Sequence, residues 1–169
     1  ETVSISVTNG IFLERWDRID YKRVKFLLMD PRYPRLPSKT ISLTQKRNLG
    51  INAYTITLFL SASDAGSELY LSTNEKPDSK SLISYVDGGF ATYPFEFDRW
   101  YSGQISLPIS LKKGKYYYME TIMKDDHQND HLEVGMQAPD GKNYTVIPSA
   151  FLRTTLPVPP SKSGKLCTV

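Results

Sequence analysis

The chain has 169 residues, enough for one domain with a full core and too few for two comfortable ones. Charged residues make up 23% and the net charge is +3. No apolar stretch approaches the roughly 20 residues of a membrane helix, so membrane insertion by this chain is not expected. Basic residues gather in the first third, from Arg15 to Arg47, but form no contiguous run, and adjacent-strand aromatics of single-strand readers are absent. The bias therefore reads as a solvated face, with no nucleic-acid partner. The opening ETVSISVTNG lacks the parts of a secretory signal, which says little, since a mature protein or an excised domain would read the same way.

In chain order, Thr2 to Val7 alternates Val3, Ile5 and Val7 with hydroxyl residues, the pattern of a strand with one buried face. Phe12 to Ile19 is expected to make a short helix or turn, with Trp16 packing inward. Pro31, Pro34 and Pro37 make Met29 to Ser38 an ordered loop, with Tyr33 and Leu36 turned to the interior. Ala53 to Leu60 is a strand rich in β-branched and aromatic residues. It is followed by the small acidic turn SASDAGSELYLS (Ser61 to Ser72), and Leu69 to Leu71 returns as its expected hairpin-like partner.

Phe90 to Tyr101 is irregular and aromatic, and two readings stand: a cover for a core edge, or a ligand platform. Within it, Trp100 and Tyr101 are candidates to face a ligand cleft, because sugar rings present apolar faces that stack on aromatics. Gly114 to Met123 alternates two largely apolar faces, as a central strand between layers does. Leu132 to Ala138 and Tyr144 to Ile147 form an antiparallel pair about the turn Pro139 to Lys142.

No segment of usual helix length carries an i, i+3, i+4 stripe, so the fold class is all-β. Residues 1–153 are expected to be the folded unit, and 154–169 a Pro/Ser-rich tail or linker. The single cysteine, Cys167, has no internal disulfide partner, so it is a free thiol or joins two chains. Asn143-Tyr144-Thr145 is a glycosylation sequon, compatible with a secreted or extracellular location.

Four pieces recur in a familiar order: GIFLERWDRI from Gly10, SASDAGSELYLSTNEKP from Ser61, LPISLKKGKYYYMETIMKD from Leu107, and NDHLEVGMQAPDG followed by IPSAFL. Together they resemble the protective-antigen (PA-14) domain family over nearly all of Gly10 to Leu152. The resemblance implies an antiparallel β-barrel or β-sandwich module, as found in adhesins, glycosidases and glycosyltransferases, toxins and fibrocystin-type receptors. It also implies a site. Sugar-binding members hold calcium with two adjacent aspartates joined by a cis peptide, and sugar hydroxyls complete the coordination.

In this chain Asp64 matches the first aspartate and Ala65 replaces the second. Calcium takes six to eight oxygens and binds less tightly as ligand charge is removed. The resemblance brings the loop holding Asp125, Asp126, Asn129 and Asp130 towards Asp64, where Asp64 and Asp130 are the expected metal ligands of a weak site. The simpler reading of that loop is a solvated turn. His127 and His131 lie four apart in a loop, where this spacing aligns nothing for zinc.

Catalysis has little support: Glu120 and Glu133 read as outward polar positions on strands, and no nucleophile elbow surrounds Ser63. The expected function is a non-catalytic extracellular module binding a glycan or a glycosylated protein, with calcium as its cofactor. The alternatives are a protein-interaction domain that has lost the metal, motivated by Ala65, and an accessory domain of a carbohydrate-active enzyme.

Overall fold

Short runs of β-branched and aromatic residues punctuated by Gly, Pro and Asn favour strands over helices, and strands dominate the computed structural model. It describes residues 5–8, 12–15, 23–33, 35, 39–42, 47–50, 55–89, 91–99, 103–124 and 131–157. In chain order the strands are β1 (Ile5–Thr8), β2 (Phe12–Arg15), β3 (Lys39–Ser42), β4 (Arg47–Gly50), β5 (Thr55–Ser63) and β6 (Gly66–Ser72). They continue as β7 (Lys80–Val86), β8 (Ile109–Leu111), β9 (Tyr116–Lys124), β10 (Leu132–Gln137), β11 (Asn143–Tyr144) and β12 (Leu152–Pro157). The helix α1 (Val24–Leu28) falls between β2 and β3.

All pairing between these strands is antiparallel. One sheet runs β1-β12-β4-β9-β6-β7, a second runs β11-β10-β5-β8, and β2 pairs with β3 alone. Phe59 of β5, Met136 of β10 and Leu111 of β8 meet Leu69 and Leu71 of β6 and Tyr117 of β9 in one buried cluster. Side chains from both sheets fill one interior, as in a β-sandwich. The expected all-β antiparallel class is the class observed.

The central strand β9 lies between β4 and β6, as its two apolar faces suggest. Tyr117 faces the inter-sheet core, while Ile122 lies under Val24 and Leu27 of α1, with Tyr33 and Tyr70 packed alongside. The β10–β11 pair also forms as expected, with Met136 opposite Tyr144 and Gly141 taking a φ of 83° in the turn.

Two expectations are corrected. Phe12 to Arg15 is strand, not helix or turn, because β3 supplies the ladder partner that a short segment lacks on its own. A helix forms instead at Val24–Leu28, one turn that buries Val24 and Leu27. The strands either side of Asp64 are not a hairpin: β5 pairs with β10 and β8, and β6 with β7 and β9. The chain crosses there from one sheet to the other. β12 runs from Leu152 to Pro157 and pairs with β1.

Candidate functional site

The crossing between the sheets consists of two residues, Asp64 and Ala65. So tight a corner requires the sheets to approach closely, and the inward-facing side chains nearby are small. Ser61, Ser63, Ser67 and Ser84 are all buried. Their hydroxyls satisfy one another: Ser61 Oγ lies 2.7 Å from Ser84 Oγ, and Ser63 Oγ lies 2.8 Å from Ser67 Oγ. Ser63 also donates to the Ala65 carbonyl. Buried hydroxyls without partners would be costly, so this pairing is what lets polar side chains replace apolar ones here.

The corner is fastened from outside by two further segments. Thr92 works as a one-residue strand on β5: its N–H donates to the Ser63 carbonyl at 3.0 Å, and its Oγ1 accepts the Ser63 N–H at 2.9 Å. From the other side the Asp64 N–H donates to the His131 carbonyl at 3.2 Å. The His131 ring ties these segments together, with Nε2 2.9 Å from the Thr92 carbonyl and Nδ1 2.9 Å from Glu133 Oε2. The same carboxylate oxygen accepts the Phe95 N–H at 3.3 Å. That bond helps hold Phe95 at a φ of 64°, a left-handed conformation uncommon for a bulky residue.

Asp64 is thus held by its backbone. Its half-buried carboxylate makes no hydrogen bond or ion pair among the described residues. Ala65 is different, since its methyl is buried and its carbonyl is engaged by Ser63. The corner itself offers one carboxylate to a cation, and further oxygens must come from elsewhere. Among the described residues no three His, Cys, Asp or Glu side chains converge as a metal site.

Asp125, Asp126, Asn129 and Asp130 lie outside the described residues, as do Trp16, Leu36, Trp100, Tyr101, His127 and Cys167. The residues flanking the acidic segment are described, and both are beside the corner. Lys124 pairs with Gly66, and His131 holds Asp64.

In the aromatic segment, Tyr93 and Phe95 are exposed, whereas Phe97 is half-buried where a Cβ on Gly135 would meet its ring at 3.3 Å. The close approach of ring and backbone is what glycine at 135 allows. Beyond Tyr93, the Glu96 carboxylate accepts the Tyr93 N–H at 2.9 Å and pairs with Arg99 at 3.2 Å. These two bonds, the backbone one foremost, hold its pKa below the usual carboxylate range against a smaller opposing desolvation.

Glu120 and Glu133 belong to different sheets, and each is engaged: Glu120 by Lys80 at 2.7 Å and Tyr118 at 2.7 Å, Glu133 by His131. Asn143 is exposed at the start of β11, where its Oδ1 accepts a hydrogen bond from Gln137 at 3.0 Å. No helix among the described residues is long and apolar enough to cross a membrane.

The sequence singles out Asp64 as a candidate but shows nothing of the residues that fix its backbone. Thr92, His131 and Glu133 are remote in sequence and carry no joint motif. A usable signal was the alternation of Ser61 and Ser63 with Phe59 on one strand face, hydroxyls where a core strand would carry apolar residues.

Over 98 residues, 56% of this chain, the sequence is 39% identical to N-acetyl-beta-glucosaminyl-glycoprotein 4-beta-N-acetylgalactosaminyltransferase 1 of Mus musculus. The match spans 9% of that protein. No family model matches the chain, and no solved structure matches it. The relative is thus a glycosyltransferase similar to this chain over a small part of its own length.

Proposed function

We propose that this domain is a non-catalytic, extracellular recognition module of the PA-14 type, binding a glycan or a glycosylated protein at the Asp64 corner. The observation that carries the reading is the anchoring of the acidic segment. Both of its flanking residues are fastened beside an aspartate whose carboxylate has no partner among the described residues. Asp64 and Asp130 would hold calcium, with Asp125, Asp126 and Asn129 as further oxygen donors and Trp100 and Tyr101 beside the sugar. With a single carboxylate at the corner, affinity should be of the weak extracellular kind, roughly millimolar. The ion would then coordinate ligand hydroxyls. Exposure of Asn143 suits its glycosylation in a secretory pathway.

Calcium titration by calorimetry, combined with a glycan array in calcium and in chelator, tests this directly. Calcium-dependent capture that Asp64→Ala abolishes is the expected outcome. If neither calcium nor any glycan binds at millimolar concentration, the reading fails.

The partial similarity to a glycosyltransferase favours a compatible second reading, an accessory domain within a carbohydrate-active enzyme. Such a domain would bring the catalytic unit to its glycoprotein acceptors. Deleting it from a longer chain should slow transfer to glycoproteins and leave transfer to a small free acceptor unchanged. Equal losses on both acceptors would count against the accessory role.

A further inference from the structure

β7 and β8 are the last described strands of their sheets, and residues 103–106 bridge the sheets at one end, where the Tyr85 N–H donates to the Gly103 carbonyl at 2.7 Å and the Ser106 N–H to the Phe59 carbonyl at 2.8 Å. Beside that bridge lies a half-open surface groove of about 650 Å³. Its floor is apolar, formed by Leu71, Ile83, Ile109, Leu111 and Tyr117. β6 separates this groove from the Asp64 corner: Gly66 adjoins the corner and Ser72 lines the groove. Its seven residues place the two features about 20 Å apart.

The turn joining β8 to β9 is Lys112-Lys113-Gly114-Lys115, and Gly114 takes a φ of 74°. The Lys112 N–H donates to the Tyr117 hydroxyl at 2.8 Å, which fixes the turn against the groove floor. Lys112 and Lys115 line the groove and are exposed, and neither ammonium has an acidic partner among the described residues. Glu75 is the single acidic side chain among the described residues of the lining.

We infer that this groove takes an extended, acidic polypeptide segment, which adds as a strand to the outer edge of β8. β8 pairs with β5 on one side only, and no described strand occupies the other. Backbone bonds to an edge strand supply affinity without sequence preference, while alternate side chains supply selectivity. Here one set of side chains would rest on Ile83, Ile109 and Leu71, and the acidic set would meet Lys112 and Lys115. A second copy of this chain is the wrong occupant, because it would bring the same lysine turn to the same edge. The inference stands apart from glycan binding at Asp64.

The test uses the full chain and three probes: an end-blocked peptide alternating glutamate and valine, its lysine-for-glutamate counterpart, and a sulfated oligosaccharide. Binding is followed by NMR shifts of the backbone amides. The acidic peptide alone should bind, shifting Ile109, Ser110 and Leu111 and weakening as salt rises. Reversing both charges, Lys112→Glu with Lys115→Glu, should weaken binding by about tenfold or more while leaving the thermal midpoint unchanged. Asp64→Ala should leave it intact. Absence of binding at millimolar peptide, equal binding of the basic counterpart, or loss of binding in Asp64→Ala overturns the inference. So does an oligosaccharide that shifts the same amides and displaces the peptide, which would make the groove a saccharide site.

Discussion

The Asp64 carboxylate has no partner among the described residues, because the anchoring falls to the main chain: His131 holds the Asp64 N–H, and Thr92 holds the preceding Ser63. Replacing Thr92 by Val conserves shape but deletes the acceptor of the buried Ser63 N–H. Leaving such a donor unsatisfied costs roughly 1–3 kcal/mol, so Thr92→Val should lower the urea midpoint by a corresponding amount with an unchanged slope. The neighbouring position makes a different prediction. On the proposed calcium site, Ala65→Asp adds a second carboxylate at the corner and should raise calcium affinity by about tenfold or more in calorimetry. Because Ala65 is only 3% exposed, the same change should destabilise the calcium-free protein. Asp64 was legible in the sequence because an acid between two strand-like runs stands out locally. Thr92, His131 and Glu133 were not, because their roles arise from a meeting of segments that no local pattern encodes.

Among the elements, the strands with clear period-two alternation were the legible ones: β9 and β10 form where the pattern puts them, and β11 pairs with β10 as expected but at Asn143–Tyr144 instead of Tyr144–Ile147. The corner between β5 and β6 was read as a hairpin because a short acidic turn serves both a hairpin and a crossing between sheets. What decides between them is the choice of ladder partners far along the chain. α1 escaped notice because one turn is too short to show a stripe. It ends in a turn where the Asp30 N–H donates to the Leu27 carbonyl at 3.1 Å and Arg32 grips the Asp30 carboxylate with Nε and Nη2, each at 2.8 Å.

Hydrogen bonds from the Arg32 side chain and main chain lower the Asp30 pKa from 3.8 to about 2. A carboxyl whose folded pKa is depressed stabilises the fold above its unfolded pKa and loses that effect as pH falls through the folded one. The turn should therefore be fully held above about pH 4 and loosen as pH falls to 2. The Arg32 Nε–H resonance should report this loosening, and Asp30→Asn should remove the titration.

For the molecule as a whole, the all-β class followed from composition and periodicity, whereas the order of strands in the sheets did not, since alternation marks a strand's faces but not its neighbours. The interior rests on a few large side chains from both sheets. Phe59, with no exposed surface, lies among them. Phe59→Ala should cost about 3–5 kcal/mol, seen as a matching loss in denaturant unfolding, and a much smaller loss would place the stabilising core elsewhere.

The pairing of β1 with β12 sets Ile5 opposite Pro157, so the first and last described residues stand within about 5 Å of each other. A unit whose entry and exit share one ladder can be spliced into a surface loop of a host protein without prising that loop apart. The same adjacency makes the ladder a mechanical clasp. Tension applied at Ile5 and Pro157 would load the β1–β12 hydrogen bonds before it reached the Asp64 corner.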